Sequence, residues 1–383
     1  MNNDFLKFEE LYNCYEICLK NKKRKIGTYS FVNNNLCENL FDLLQEINSR
    51  TYVPSPSNCY IVKYPAYREI FAAQFKDRIV QHFYMNELGD ILNKKLVKGC
   101  ASCIKNRGTS YALDLVKRYT LDISKNGTKN CYYLKIDLSG YFMSIKRQIV
   151  CDKFIELINN DYKGKHKDLL LYLTPLIFLN NPAENCSYKC TENERKKVPD
   201  RRKMKKSSEY GIAIGNLTSQ AGSNLNLNNF DHYVVDKLNL TNYVRYVDDI
   251  VIISDSKDEL KNALPLIAKK LKETCQVVSK KKTKIDIAYH GVPFLGKMTY
   301  PYRGYQTANK QVYKRVMNRA RNTNYSSVDN LISKVNSEVG FLKNYNCRKL
   351  AINYANVILK RTENVIKFNT ERLIFQKDNE SEH

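Results

Sequence analysis

Apolar positions recur at helical spacing over much of this chain and fall in short continuous or alternating runs elsewhere. FLKFEELYNCYEICLKNKKRK repeats apolar side chains every three to four positions and ends in a basic cluster, Lys22 to Lys25; FDLLQEIN repeats the pattern, so residues 1–50 are expected to be helical. Prolines punctuate YVPSPSNCYIVKYP, which then reads as a short strand. Residues 66–98 are expected to form one long amphipathic helical stretch, with Ile70, Phe71, Phe75, Ile79, Val80, Phe83 and Leu88 at 3–4 spacing. CYYLKIDLSGYFMSI reads as a strand running into a turn, residues 150–180 as helix, and GIAIGNLTSQAGSNLNLNNFDHYVVDKL as a glycine-bearing turn entering a helix. Two strands are expected over 243–254, a helix over 257–275 and a β-rich segment from Val277 to Tyr300. After Gln311 the pattern is mostly helical to about residue 370, then polar. No internal repeat or long linker is visible.

A polar loop spans 181–209. Between Arg195 and Lys206 it carries eight basic residues against one acid, which suits either a solvated insertion or contact with a phosphate backbone. The whole chain leans the same way. Its 383 residues hold 63 Lys and Arg against 39 Asp and Glu, a formal charge of +24, which points to a polyanionic partner, nucleic acid before membrane. Tyr is abundant at 28, and Tyr interleaved with basic residues suits base stacking, although a biased proteome gives the same count. Twelve Cys are scattered; the Cys100/Cys103 and Cys186/Cys190 pairs lack a second pair at zinc spacing. The polar start and the short apolar run Leu169 to Leu179, with Pro175 inside it, are read as a cytoplasmic protein with reduced thiols and no membrane partner.

The stretch NLTNYVRYVDDIVIIS raises a chemical question. Asp248 and Asp249 are adjacent like charges amid apolar β-formers, where they repel each other and cost desolvation energy. Divalent cations relieve both costs. Mg²⁺ prefers oxygen and is commonly held by one or two carboxylates plus substrate phosphates. A pair of ions roughly 4 Å apart activates a hydroxyl and stabilises a leaving pyrophosphate. A third carboxylate is then needed, and Asp137, last in the apolar strand YYLKID, is the candidate against the ordinary reading of an exposed strand-end Asp.

These residues resemble the reverse transcriptases. Tyr246-Val247-Asp248-Asp249 is similar to their YxDD box, Asp137 to the aspartate of their first metal motif, and Phe142 to their aromatic gate, which selects dNTPs over rNTPs. YREIFAAQFKDRIVQHF resembles the fingers motif that holds the incoming nucleotide, through Arg68 with Lys63 assisting; NRGTSYAL, with Arg107 and Gly108, resembles a template-contacting motif; GVPFLGKMTY, with Gly296, resembles the primer grip, and SKKKTK, with Lys282, the motif before it. The resemblance covers about residues 50–310. It implies an α+β right-handed polymerase: an N-terminal helical extension over 1–50, interleaved fingers and palm over 51–300 with an antiparallel sheet backed by helices, and a helical thumb with a polar tail over 301–383. It implies RNA-directed DNA synthesis with two Mg²⁺, for which Mn²⁺ can substitute, held by Asp137, Asp248, Asp249 and the Leu138 carbonyl. The expected nucleotide contacts include Ile214, Gly215 and Gln220, and Tyr246 is expected on the nucleic acid. On the thumb, Lys310/Lys314 and Arg315/Arg319 are i,i+4 pairs suited to a template–cDNA hybrid.

AIGNLTSQ, Ala213 to Gln220, most resembles diversity-generating retroelement enzymes, which misincorporate opposite template adenines. Aliphatic Ile214 beside the nascent pair gives shape contact without a hydrogen-bond anchor. Defence-associated bacterial reverse transcriptases share the signature, and they imply templated, repetitive or protein-primed DNA. A non-catalytic RNA-binding protein on the same fold is a third reading, opposed by the intact carboxylates and gate. Expected partners are template RNA, the RNA/cDNA hybrid, dNTPs, and a small basic accessory protein or structured noncoding RNA.

Overall fold

The computed structural model describes residues 5–20, 26–33, 35–63, 66–343 and 347–377. The basic cluster Lys22–Lys25 and the end of the polar tail lie outside the described residues. Three N-terminal helices, α1 (Phe8–Leu19), α2 (Ile26–Asn33) and α3 (Leu36–Asn48), lead into strands β1 (Ser57–Val62) and β2 (Arg68–Ala72) and the long α4 (Phe75–Lys95). Next come α5 (Thr109–Ser124), β3 (Tyr132–Asp137), the short α6 (Tyr141–Ser144), α7 (Arg147–Asp161), α8 (Lys167–Phe178), β4 (Cys186–Tyr188) and α9 (Glu192–Lys196). α10 (Leu217–His232), β5 (Tyr243–Tyr246), β6 (Asp249–Ser254), α11 (Lys257–Lys272) and β7 (Lys284–Ile287) follow. The chain then forms β8 (Val292–Phe294), β9 (Lys297–Thr299), β10 (Thr307–Ala308), helices α12 (Lys310–Arg321), α13 (Val328–Lys343) and α14 (Arg348–Arg361), and strands β11 (Ile366–Asn369) and β12 (Ile374–Lys377).

The central sheet is antiparallel, in the order β5-β6-β3-β7. Its strands are apolar in both phases because both faces are covered. Leu134, Ile136, Ile250 and Ile252 join the main core with Leu260, Ile267 and Leu271 of α11. Tyr133, Val251 and Ile253 face the other way, onto Ala112, Leu115 and Val116 of α5 and onto Val292 and Phe294 of β8. Each fully buried Leu, Ile or Phe contributes roughly 1.5–3 kcal/mol. The α+β architecture agrees with expectation. α10 packs closely on α7 and α8: a Cβ at Gly222 would meet Val150 Cγ1 at 2.8 Å and Phe178 Cε1 at 3.1 Å.

Four expectations change. Ile70 and Phe71 belong to β2, not to a helix starting at 66; β2 pairs with β1, and the helix begins at Phe75. Apolar spacing across 70–75 fits both periods, and pairing with the preceding strand decides. The 150–180 stretch is two helices, with Tyr162 to His166 between them. The last residues before the tail form the β11–β12 hairpin, whose Ile366 and Phe375 close the core of α12, α13 and α14. The 181–209 segment carries β4, which extends the β2-β1-β4 sheet in parallel with β1.

Candidate nucleotidyl-transfer site

The β5–β6 hairpin turns through only Val247 and Asp248, with Tyr246 and Asp249 as its closing pair. Such two-residue loops favour positive φ at the first central position, usually Asn or Gly. Here Val247 has φ +58°, a costly conformation for a β-branched residue. The surroundings hold it there. Ser102 Oγ accepts a hydrogen bond from the Val247 N–H (3.1 Å), and the Arg245 guanidinium donates to the Val247 carbonyl (3.3 Å).

Arg245 is itself fully buried against Asp231. Its Nε lies 2.8 Å from Asp231 Oδ1 and its Nη2 2.6 Å from Oδ2, while Tyr243 Oη donates to Oδ1 at 2.6 Å. Arg245 also donates to Asn224 Oδ1 (3.2 Å), and Asn224 donates to the Ser102 carbonyl (2.8 Å). A charged network thus lies beneath the aspartate turn. The sequence reading missed it; a lone Arg within the apolar run YVRYV was the available signal, because a buried guanidinium needs a buried carboxylate.

β3 pairs with β6 so that Asp137 lies opposite Asp249. The Leu138 N–H donates to the Asp248 carbonyl at 3.3 Å. Asp137, Asp248 and Asp249 line one cleft of about 270 Å³, together with Leu138, Arg68, Phe142, Ile214 and Lys282. Burial, then Asp249, then Asp137 push the Asp248 carboxyl up to about 6, with Arg68 opposing. Burial raises Asp249 as well, and Lys135, 3.9 Å away, opposes it. Lys282 Nζ contacts both oxygens of Asp137, at 3.0 and 2.9 Å. No group of three acidic, His or Cys ligands is already gathered for a metal among the described residues. The donor set nevertheless fits a hard divalent cation: three oxygen-bearing side chains, two of them destabilised as bare anions, with an ammonium on the third as a stand-in cation.

Phe142 sits on α6, edge to face with buried Tyr141 (ring centroids 5.4 Å apart), and its carbonyl accepts the Ile212 N–H at 3.0 Å. This positions the aromatic ring and Ile214 on one side of the cleft. Two further cations line it that the sequence reading placed only in a basic loop, Arg201 and Arg202. Burial, then Arg68 and Arg201, lower the Arg202 pKa, with Asp137 and Asp248 opposing.

Other expected site residues lie elsewhere. Lys63 does not line the cleft; its ammonium is 2.7 Å from Glu194. Gly215 holds the positive-φ turn ahead of α10, with φ +114°, and Gln220 lies one turn inside that helix; neither lines the cleft. Arg107 donates to the Val97 and Cys100 carbonyls at 3.0 and 2.8 Å, and Gly108 caps α5. Tyr246 packs on the α5 side of the sheet and accepts a hydrogen bond from Thr109 at 3.3 Å. Gly296 completes the β8–β9 turn, and its carbonyl accepts the Asn309 N–H at 2.9 Å, joining that turn to α12. Lys310 and Lys314 are exposed on α12, whereas Arg315 lies over the Phe341 ring (4.8 Å) and Arg319 pairs with Glu338. The sequence pairing of Arg315 with Arg319 as a nucleic-acid face is thus drawn toward α13.

Among solved structures, telomerase from Candida albicans in complex with a fragment of telomeric RNA matches at 13% identity over 82% of this chain and 59% of that one, with a TM-score of 0.48. Apo telomerase from Candida tropicalis, truncated from its C-terminal domain, matches at 14% identity over 67% of this chain and 56% of that one, TM-score 0.48. This chain spans little more than half the length of these telomerases. No curated protein matches the sequence. The family model described as reverse transcriptase (RNA-dependent DNA polymerase) matches residues 61–299. That match takes in the whole central sheet and the three carboxylates of its cleft, and the chain belongs to the reverse transcriptase family.

Proposed function

We propose that this protein is an RNA-directed DNA polymerase that extends a primer along an RNA template by nucleotidyl transfer in the Asp137/Asp248/Asp249 cleft. The observation that carries the reading is the register that sets Asp137 opposite Asp249, with Asp248 at the adjoining turn. Asp137 and Asp248 are the firmer metal ligands, with the Leu138 carbonyl beside them, and Asp249 acts directly or through its charge. These residues would hold Mg²⁺, two ions in this reading, which would supply a lowered pKa for the primer hydroxyl and neutralisation of phosphate charge. Phe142 excludes a 2′-hydroxyl, Arg68 meets the triphosphate, and Lys282, paired with Asp137 in the metal-free fold, would yield that carboxylate to a bound cation. The chain divides, in the same reading, at about residues 50 and 300. Template RNA and the growing hybrid occupy the basic surface, with an accessory protein or structured RNA selecting the template.

Within this class we favour a diversity-generating enzyme, on the AIGNLTSQ signature, whose Ile214 lines the cleft and offers the nascent pair no side-chain hydrogen bond. The test is sequencing of cDNA made by the purified protein with co-purifying RNA, Mg²⁺ and four dNTPs. The expected product is templated cDNA with errors concentrated opposite adenine, lost in Asp248→Ala/Asp249→Ala, and with fewer such errors in Ile214→Gln. Faithful, repetitive or untemplated DNA would replace this with the defence reading. No DNA from wild type, with accessory protein added, would leave the fold without the activity.

A further inference from the structure

Arg201 and Arg202 belong to the basic 181–209 segment, which is docked rather than trailing in solvent. The Met204 N–H donates to the buried Glu69 carboxylate at 2.9 Å, and the Met204 side chain joins a small core with Cys59, Phe71, Ala183 and Ala213. On the other side Arg147 donates to the carbonyls of Ser208, Tyr210 and Gly211. The Arg201 carbonyl lies 3.1 Å from where a Cβ on Gly140 would sit, so the segment rests on the turn that follows Asp137. Glu69 neighbours Arg68 in β2. One buried carboxylate therefore ties the strand bearing Arg68 to the segment bearing Arg201 and Arg202.

The side chains of Arg68, Arg201 and Arg202 have no hydrogen-bonded or ion-paired partner among the described residues, although all three line the cleft. Arg201 also lines a second opening of about 350 Å³, with Lys203 and Lys205, so it stands at the junction of the two. Three guanidiniums at one opening repel each other; Asp137 and Asp248 offset part of that charge without pairing with any of them, and the planar forks match phosphate oxygens. A nucleoside triphosphate brings several negative charges to this point. Lys63, by contrast, is turned to Glu194, whose other carboxylate oxygen accepts the Thr191 N–H at 3.0 Å.

We propose that Arg202, with Arg201 at the mouth of the cleft, holds the β- and γ-phosphates of the incoming dNTP opposite Arg68, in the place Lys63 was expected to take. The proposal rests on the polymerase reading above.

Two measurements on the full chain separate it from that reading. The first is the dNTP KM on a primed RNA template. The second is the rise in melting temperature caused by dNTP and Mg²⁺ without nucleic acid, which needs no polymerisation. Arg202→Ala is expected to raise KM about ten-fold or more, with a smaller change in kcat. Arg201→Ala/Arg202→Ala removes most of the dNTP-induced melting shift, Arg202→Lys recovers part of it, and Lys63→Ala stays within about two-fold of wild type. Melting without nucleotide reports whether each variant folds, and Arg202→Lys keeps the charge should the alanine variant fail. The proposal is overturned by an unchanged KM and melting shift in the double variant, with template affinity reduced instead. It is equally overturned if Lys63→Ala raises KM while Arg202→Ala does not, or if wild type shows no dNTP-induced shift. A wild type that binds dNTP through these arginines but makes no DNA would sink the polymerase reading alone.

Discussion

Burial and the neighbouring charge of Asp249 push the Asp248 carboxyl up to about 6, and the direction of that shift makes a testable statement about the metal-free fold. An acid whose folded pKa is raised is better accommodated protonated. The stabilising contribution is complete below the unfolded value, about 4, and is lost as pH rises through about 6. At pH 7.5 without metal, the ionised side chain therefore destabilises the fold by about 2 kcal/mol, partial solvent access having reduced the figure. Asp248→Asn removes the ionisation. The metal-free variant is expected to melt above wild type at pH 7.5, by about 2–4 °C, and to converge with it near pH 4. Mg²⁺ should raise the wild-type melting temperature and leave the variant nearly unmoved. A wild-type-minus-variant difference that is flat from pH 4 to 7.5 would show that the Asp248 charge is not strained.

The β5–β6 hairpin depends on what lies behind it. Val247 keeps its left-handed backbone because its N–H and its carbonyl are both occupied, by Ser102 and Arg245. Removing one member of the buried Arg245–Asp231 pair leaves an uncompensated charge, so Arg245→Ala and Asp231→Ala should each cost about 3–5 kcal/mol, and the double variant less than their sum. Arg245→Lys keeps the charge beside Asp231 but loses the planar fork that also reaches Val247. It is expected to fold, with kcat reduced and the dNTP KM little changed; a kcat equal to wild type would deny the turn any support from Arg245. The hairpin and its aspartates were legible in the sequence because a two-residue turn between apolar strands is local chemistry. Asp137 stood out as a charge ending an apolar strand, and the resemblance agreed, but the register that sets it opposite Asp249 was not legible, since residues about a hundred positions apart leave no periodic signal. β2 was misread because 3–4 spacing and alternation coincide from Ile70 to Phe75, and the β11–β12 hairpin because its four-residue strands are too short to show a period. Arg201 and Arg202 were visible as charge, but their place in the cleft comes from Met204 and Glu69, a contact of long sequence separation.

At the scale of the whole molecule, a formal charge of +24 matters by where it is free to act. The C-terminal helices and the β11–β12 hairpin share a core of their own, from Val312 to Phe375. It joins the central sheet side through β10 pairing with β9 and through Gln306, which donates to the Leu113 carbonyl at 3.0 Å. On α12 the basic residues divide by partner. Arg319 is committed to Glu338 and Arg315 to the face of Phe341, so both are part of how α12 packs on α13. Lys310 and Lys314 are exposed on the same helix, and the counterions they release on meeting phosphate should appear in the salt dependence of binding. Lys310→Ala/Lys314→Ala is expected to reduce the slope of log affinity for an RNA/DNA hybrid against log salt by about 1.5, with melting unchanged. Arg319→Ala should do the reverse: little change in slope and a lower melting temperature, because Glu338 is left buried without its cation. Equal slopes lost by the lysine and arginine variants would mean that Arg315 and Arg319 leave α13 when the hybrid binds. The core shared by α12, α13 and α14 would then have to repack around Glu338 each time the hybrid is engaged.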